Sequence, residues 1–177
     1  NHGNLASLYH ELGEFDKALS NYYLALEIIQ KQFGKKHMYC ASIMNNLGLL
    51  YDQMGELEQS IDLYKETLEI LEGQVPRGDP RYGSTLNNLA LAYRETGEYQ
   101  KAKTLYEESI QIFEESYGKK HPEYAKRLDN LASLYVLLAE YKKAEDLYYE
   151  AQEVFATTLG KEHIEYSINV SSLAWLY

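Results

Sequence analysis

Small and apolar side chains return along this chain at helical spacing. Leu86, Leu89, Ala90 and Tyr93 stand at i, i+3, i+4 and i+7. Ala102, Leu105, Tyr106, Ser109, Ile110 and Phe113 continue the same rhythm after a break. Each set falls on one face of a helix, with polar positions on the other face. Gly97 lies between the sets and suits the left-handed conformation that ends a helix; Gly118 ends the second helix in the same way. Asp79 and His121 stand where a side chain caps the next helix, and Pro80 and Pro122 suit its first position. The predicted unit is helix, tight turn, helix.

That unit recurs every forty-two residues without slipping register. Asn88-Leu89-Ala90 returns as Asn4-Leu5-Ala6, Asn46-Leu47-Gly48, Asn130-Leu131-Ala132 and Ser172-Leu173-Ala174. A fixed period of this length marks a stacked repeat architecture. The chain divides into a partial repeat over 1–37, full repeats over 38–79, 80–121 and 122–163, and a first helix over 164–177. Helices are expected over 1–12, Phe15 to Phe33 and Leu57 to Glu72. Both ends then fall inside a repeat, so the faces carrying Leu5 and Leu173, with Trp175 beside the latter, are expected to be exposed and to make end-to-end contacts between molecules.

Three departures from the period are informative. Gly48 occupies a column otherwise held by alanine, which predicts a close approach of two helices. Ala139 replaces the turn glycine found as Gly13, Gly55 and Gly97. Gly73 to Pro80 holds three glycine or proline positions before Pro80 itself, so the helix should stop near Gly73 and an irregular loop should lead to a cap at Asp79.

Leu89, Ala90, Tyr93, Gly97, Tyr99, Ala102, Tyr106 and Ser109 sit at the spacings of the tetratricopeptide repeat, which the chain resembles over essentially its whole length. The Asn-Asn-Leu-Ala opening and the Gly-Lys-Lys-His-Pro-Glu-Tyr-Ala join resemble the forty-two-residue repeats of kinesin light chains. The resemblance implies an all-α, right-handed superhelical solenoid of antiparallel helix pairs, whose first helices line a concave groove that binds extended peptides.

Composition narrows the function. Seventeen basic against 27 acidic residues give a net charge of −10, which disfavours nucleic acid and anionic membranes as partners. There is no apolar run of membrane-spanning length and no signal peptide, and the lone Cys40 suits a reducing compartment; a cytoplasmic location is expected. Most of the eighteen tyrosines fall in columns, such as Tyr9, Tyr51, Tyr93, Tyr135 and Tyr177, or Tyr22, Tyr64, Tyr106 and Tyr148, and are read as packing residues. His37, His121 and His163 lie one repeat or more apart and read as caps, not as a metal site. The Gly-Lys-Lys tripeptides lack the rest of a phosphate loop. Asn169-Val170-Ser171 matches a glycosylation acceptor but falls in a predicted helix. No catalytic constellation, cofactor or metal is expected.

The column Asn4, Asn46, Asn88, Asn130 is the candidate site. Asparagine is a mediocre helix former, yet it recurs beside the apolar stripe. A carboxamide both donates and accepts, so such a ladder can hold a peptide backbone whatever its side chains. Asn45 and Asn87 precede two members; Leu49, Leu91, Arg94 and Lys126 lie within a turn or two. The competing reading has each asparagine bonding within the stack. Among tetratricopeptide domains, the carboxylate-clamp type implies cations where this chain has Asn45, Asn46, Asn87 and Asn88, which disfavours chaperone tails. The expected function is a non-catalytic module binding a protein, as an extended peptide or partner helix. The alternatives are a self-associating scaffold and the sensor arm of a larger signalling protein.

Overall fold

The computed structural model describes residues 2–176; Asn1 and Tyr177 lie outside them. The described residues form nine helices and no strand: α1 His2–Glu11, α2 Phe15–Phe33, α3 Met38–Met54, α4 Leu57–Glu72, α5 Pro80–Glu95, α6 Tyr99–Tyr117, α7 Pro122–Leu137, α8 Tyr141–Thr158 and α9 Ile164–Ala174. They fall into two compact units, Asn1–Arg77 and Gly78–Tyr177.

In the first unit α1 pairs with α2, α3 pairs with α4, and α2 packs on α3. Ala6, Ala18, Tyr22, Leu47 and Leu50 form its core, flanked by Phe15, Ile43 and Tyr51. Gly48 is small because of Tyr64: a Cβ at this position would lie 2.5 Å from the Tyr64 ring. In the second unit α5 pairs with α6, α7 with α8, and α9 lies on α8. Phe113, Tyr124, Ala125, Leu128, Ala151, Val154 and Phe155 form a core there. Tyr22, Tyr64, Tyr106 and Tyr148 are all buried, as packing residues should be.

The tight turns are copies of one backbone device. The Glu14, Glu56, Glu98 and Glu140 amides donate to the carbonyls of Tyr9, Tyr51, Tyr93 and Tyr135 at 2.8–2.9 Å. The residue just before each glutamate is left-handed, with φ of 74° at Gly13, 77° at Gly55, 80° at Gly97 and 57° at Ala139. These bonds satisfy carbonyls that the helix end would otherwise leave unpaired. Each glutamate also begins the next helix, where its charge suits the helix dipole, and Glu14, Glu98 and Glu140 pair with Lys17, Lys101 and Lys143 one turn on.

The joins are capped as expected. His37, His121 and His163 accept through Nδ1 from the amides of Tyr39, Glu123 and Glu165 at 3.2, 3.1 and 3.2 Å, and Asp79 accepts from Arg81 at 2.9 Å. Phe33 stacks on His37 and Tyr117 on His121, with ring centroids 4.7 and 4.6 Å apart. The join after α4 is the exception foreseen. The helix ends at Glu72, the amides of Gln74 and Val75 both turn back to the Leu71 carbonyl, and an irregular segment runs to Asp79.

One expectation needs correction. Leu5 is 39% exposed, but Leu173 is only 6% exposed. This position of a first helix faces the second helix of the preceding repeat, as Leu47 does in packing with Ala18 and Tyr22 of α2. For Leu173 that neighbour, α8, is present. The exposed apolar side chains of the last segment are Ile164, Ile168, Val170 and Trp175.

Candidate peptide-binding surface

In the first unit the site residues lie on α1 and α3. Asn4 is exposed, and Asn45, Asn46 and Leu49 are half-buried. Asn45 has a partner within the chain; the carboxamides of Asn4 and Asn46 have none among the described residues. Both line a cavity of about 580 Å³ enclosed by α1, α2 and α3, whose walls are mostly carbon from Ala25, Ile28, Ile29, Tyr39 and Ile43. The Tyr22 hydroxyl, also in the wall, is hydrogen-bonded to Ser7 at 3.1 Å.

The second unit uses its asparagines differently. Asn87 is buried, and its side-chain oxygen accepts from Asn130 Nδ2 at 2.8 Å. Asn88 and Leu91 are half-buried, and Asn88 also has a partner within the chain. Arg94 donates to Ser133 at 2.7 Å and pairs with Glu95 at 2.6 Å. Lys126 bridges Glu123 at 3.2 Å and Glu165 at 3.0 Å. Arg94, Lys126 and Asn130 do share a cavity of about 340 Å³, together with Asp129, Tyr148 and Glu165. The structure therefore brings these three together, already engaged by the chain itself.

The two cavities occupy one repeat position. Asn4, Ser7, Tyr22, Tyr39 and Asn46 become Asn130, Ser133, Tyr148, Glu165 and Ser172 three repeats later. Two replacements change the interior: Asp129 stands for Gly3, and Asn169 for Ile43. Asn169 is fully buried and donates to Asp129 at 2.7 Å and to the Tyr148 carbonyl at 3.0 Å. Burial, with Glu165 adding repulsion, pushes the Asp129 carboxyl up to about 7 against the opposing Asn169 bond. Arg127 is buried too, its guanidinium 4.1 Å from the Phe113 ring centroid and paired with Glu123 at 3.1 Å. Sequence reading passed over Arg127 and Asn169 as site residues. Their signal was positional: Ile43, Thr85, Arg127 and Asn169 share one column, and all four turn inward to some degree.

Among the described residues no group of three His, Cys, Asp or Glu side chains could hold a metal ion. No helix of the described residues is long and apolar enough to cross a membrane. Asn169, the sequence-matched glycosylation acceptor, is inaccessible. Cys40 is buried, and burial pushes its thiol up.

The tetratricopeptide repeat model matches residues 1–73 and 81–157. No curated protein sequence matches significantly. Among solved structures, BtubC from P. vanneervenii is similar over 98% of this chain and 69% of its own, with 23% identity and a TM-score of 0.86. The nearly identical TPR-like repeats of a putative kinesin light chain from Podosopora anserina are similar over 99% of this chain and 83% of theirs, with 22% identity and a TM-score of 0.83; a substituted form of the same repeats gives 0.84. At such identities the likeness is one of fold.

Proposed function

The chain belongs to the tetratricopeptide repeat family, whose repeats are in general protein-interaction modules, and from that premise we propose that it is a non-catalytic module that binds an extended peptide across the first helices of its repeats. One observation carries this reading. Asn4 and Asn46 recur one repeat apart, line a common cavity, and have no partner among the described residues. An unpaired carboxamide in that position offers a donor and an acceptor at once, which is what a peptide group requires. Asn45, Leu49, Asn87, Asn88, Leu91, Arg94, Lys126 and Asn130 complete the proposed surface, with Asn87 and Asn130 acting through each other. The repeats are read as one array from 1 to 177, working in the cytoplasm.

The test is selection of ten-residue peptides from a random library on the whole chain. Asn4→Ala with Asn46→Ala should weaken the selected peptides by about 1–3 kcal/mol, the cost of leaving peptide groups unpaired, while the melting temperature holds. Unchanged affinity in the double variant would mean that these asparagines do not hold the ligand.

A further inference from the structure

We propose that the cavity walled by α5, α7, α8 and α9 receives one lysine or arginine side chain of an extended peptide, its cation held by Asp129; this rests on the peptide-binding reading above. The cavity, at about 340 Å³, has room for one long side chain. All its walls lie in the second unit. Among the described residues α8 touches α7 and α9 but neither α5 nor α6, so further helices in the same register would touch α9 alone of these walls.

The charges around the cavity nearly cancel, and the remainder names the ligand. Arg94 of α5 is paired with Glu95 at 2.6 Å. On α7, Arg127 is paired with Glu123 at 3.1 Å, and Lys126 spans Glu123 at 3.2 Å and Glu165 of α9 at 3.0 Å. The α8 wall is Tyr148. Asp129 is the acid left over, with no cation paired to it among the described residues. Its carboxyl accepts from Asn169 Nδ2 at 2.7 Å, and burial pushes its titration up to about 7. The oxygen of that same carboxamide, fully buried, has no donor among the described residues. Asp129 lacks a cation and Asn169 lacks a donor, and an ammonium or guanidinium answers both. A carboxylate would instead meet Asp129 and Glu165 with the neighbouring cations already taken.

Such a site also gives the surface a register. Asparagine carboxamides hold a peptide backbone in any register, because every peptide group offers them the same donor and acceptor. One acid, in a column that is uncharged in the other repeats, distinguishes a single residue of the ligand from its neighbours. Entry of the cation favours the ionised carboxylate, so the Asp129 proton leaves to solvent as the peptide binds. Affinity for a basic peptide therefore rises with pH up to about 7 and levels off above it.

The test uses peptides selected on the whole chain from a random ten-residue library at pH 8. Selection should yield one position dominated by Lys or Arg. Replacing that residue by glutamine should weaken binding at least about tenfold at pH 8. The parent peptide should lose at least about tenfold between pH 8 and pH 5.5, and the glutamine peptide less than about threefold. Titration calorimetry at pH 6, in two buffers of different ionisation enthalpy, should show roughly one proton released per parent peptide bound. Asp129→Asn should abolish the proton release, the pH dependence and the basic preference, with circular dichroism melting confirming the fold. Selected peptides with no basic position, binding without proton release, or a basic preference that survives in Asp129→Asn overturn the cation site while leaving peptide binding in place. Failure of any peptide to bind overturns both readings.

Discussion

Asp129 shows how much one side chain can set. Its column holds Gly3, Asn45 and Asn87 in earlier repeats and Ser171 in the next, so an acid stands where the stack elsewhere takes an uncharged residue. Its folded carboxyl titrates at about 7, pushed up by burial, against an ordinary value of about 3.9. The folded state therefore holds the proton more tightly than the unfolded one. Stability from this group is fully present below about pH 4 and is lost as pH rises towards 7, by as much as about 4 kcal/mol. Asp129→Asn keeps the shape and removes the titration. In urea, the stability of the variant relative to the wild type should rise by roughly 1–3 kcal/mol between pH 5 and pH 8, the difference between the two curves isolating this group from the other carboxylates. Parallel curves would show that the carboxyl is solvated. Nothing in the period announces this chemistry. Leu89 or Ala90 is legible because its column repeats its chemistry; Asp129, Arg127 and Asn169 share columns with residues unlike themselves, and only packing reveals what each inward position does.

At the scale of the element, the boundaries were legible because a few residue types have narrow roles. A left-handed residue must follow each first helix, and glycine takes that conformation without cost. A side-chain acceptor must precede the next helix, and His37, Asp79, His121 and His163 each supply it. The burial of Leu173 was not legible, because spacing places a residue on a face without saying which neighbour covers that face. Ala139 is where the device is imperfect. Its φ of 57° costs an L-residue roughly 1–2 kcal/mol, part of which glycine would return through unfolded-state entropy. Ala139→Gly is expected to raise stability by about 0.5–1 kcal/mol in thermal or urea unfolding. A loss of stability would mean that the methyl group makes a contact worth more than the strain.

For the whole molecule, the segment between α4 and α5 is the irregular join. The division into compact units falls at Arg77 and Gly78, inside it, and the Arg77 side chain is 69% exposed although paired with Glu72. Loops of this kind are where proteases cut first. Limited trypsinolysis should therefore release fragments 1–77 and 78–177 before any cleavage at Lys35, Lys36, Lys119 or Lys120, and earlier cutting at those lysines would count against it. Elsewhere the likeness of the joins has another consequence. Deleting residues 122–163 would set His121 directly before Ile164, where His163 now stands, and offer Tyr166, Ser167 and Val170 to α6 in place of Tyr124, Ala125 and Leu128. The shortened chain should still fold, with a helical content reduced by one pair and a lower midpoint, since such arrays sum their repeat and interface energies. A gene for this protein can thus lose or gain forty-two codons in one recombination and still encode a working fold, whereas losing a single codon inside a helix rotates every later side chain of that helix by about 100°. Inheritance of length in whole repeats follows from the cap.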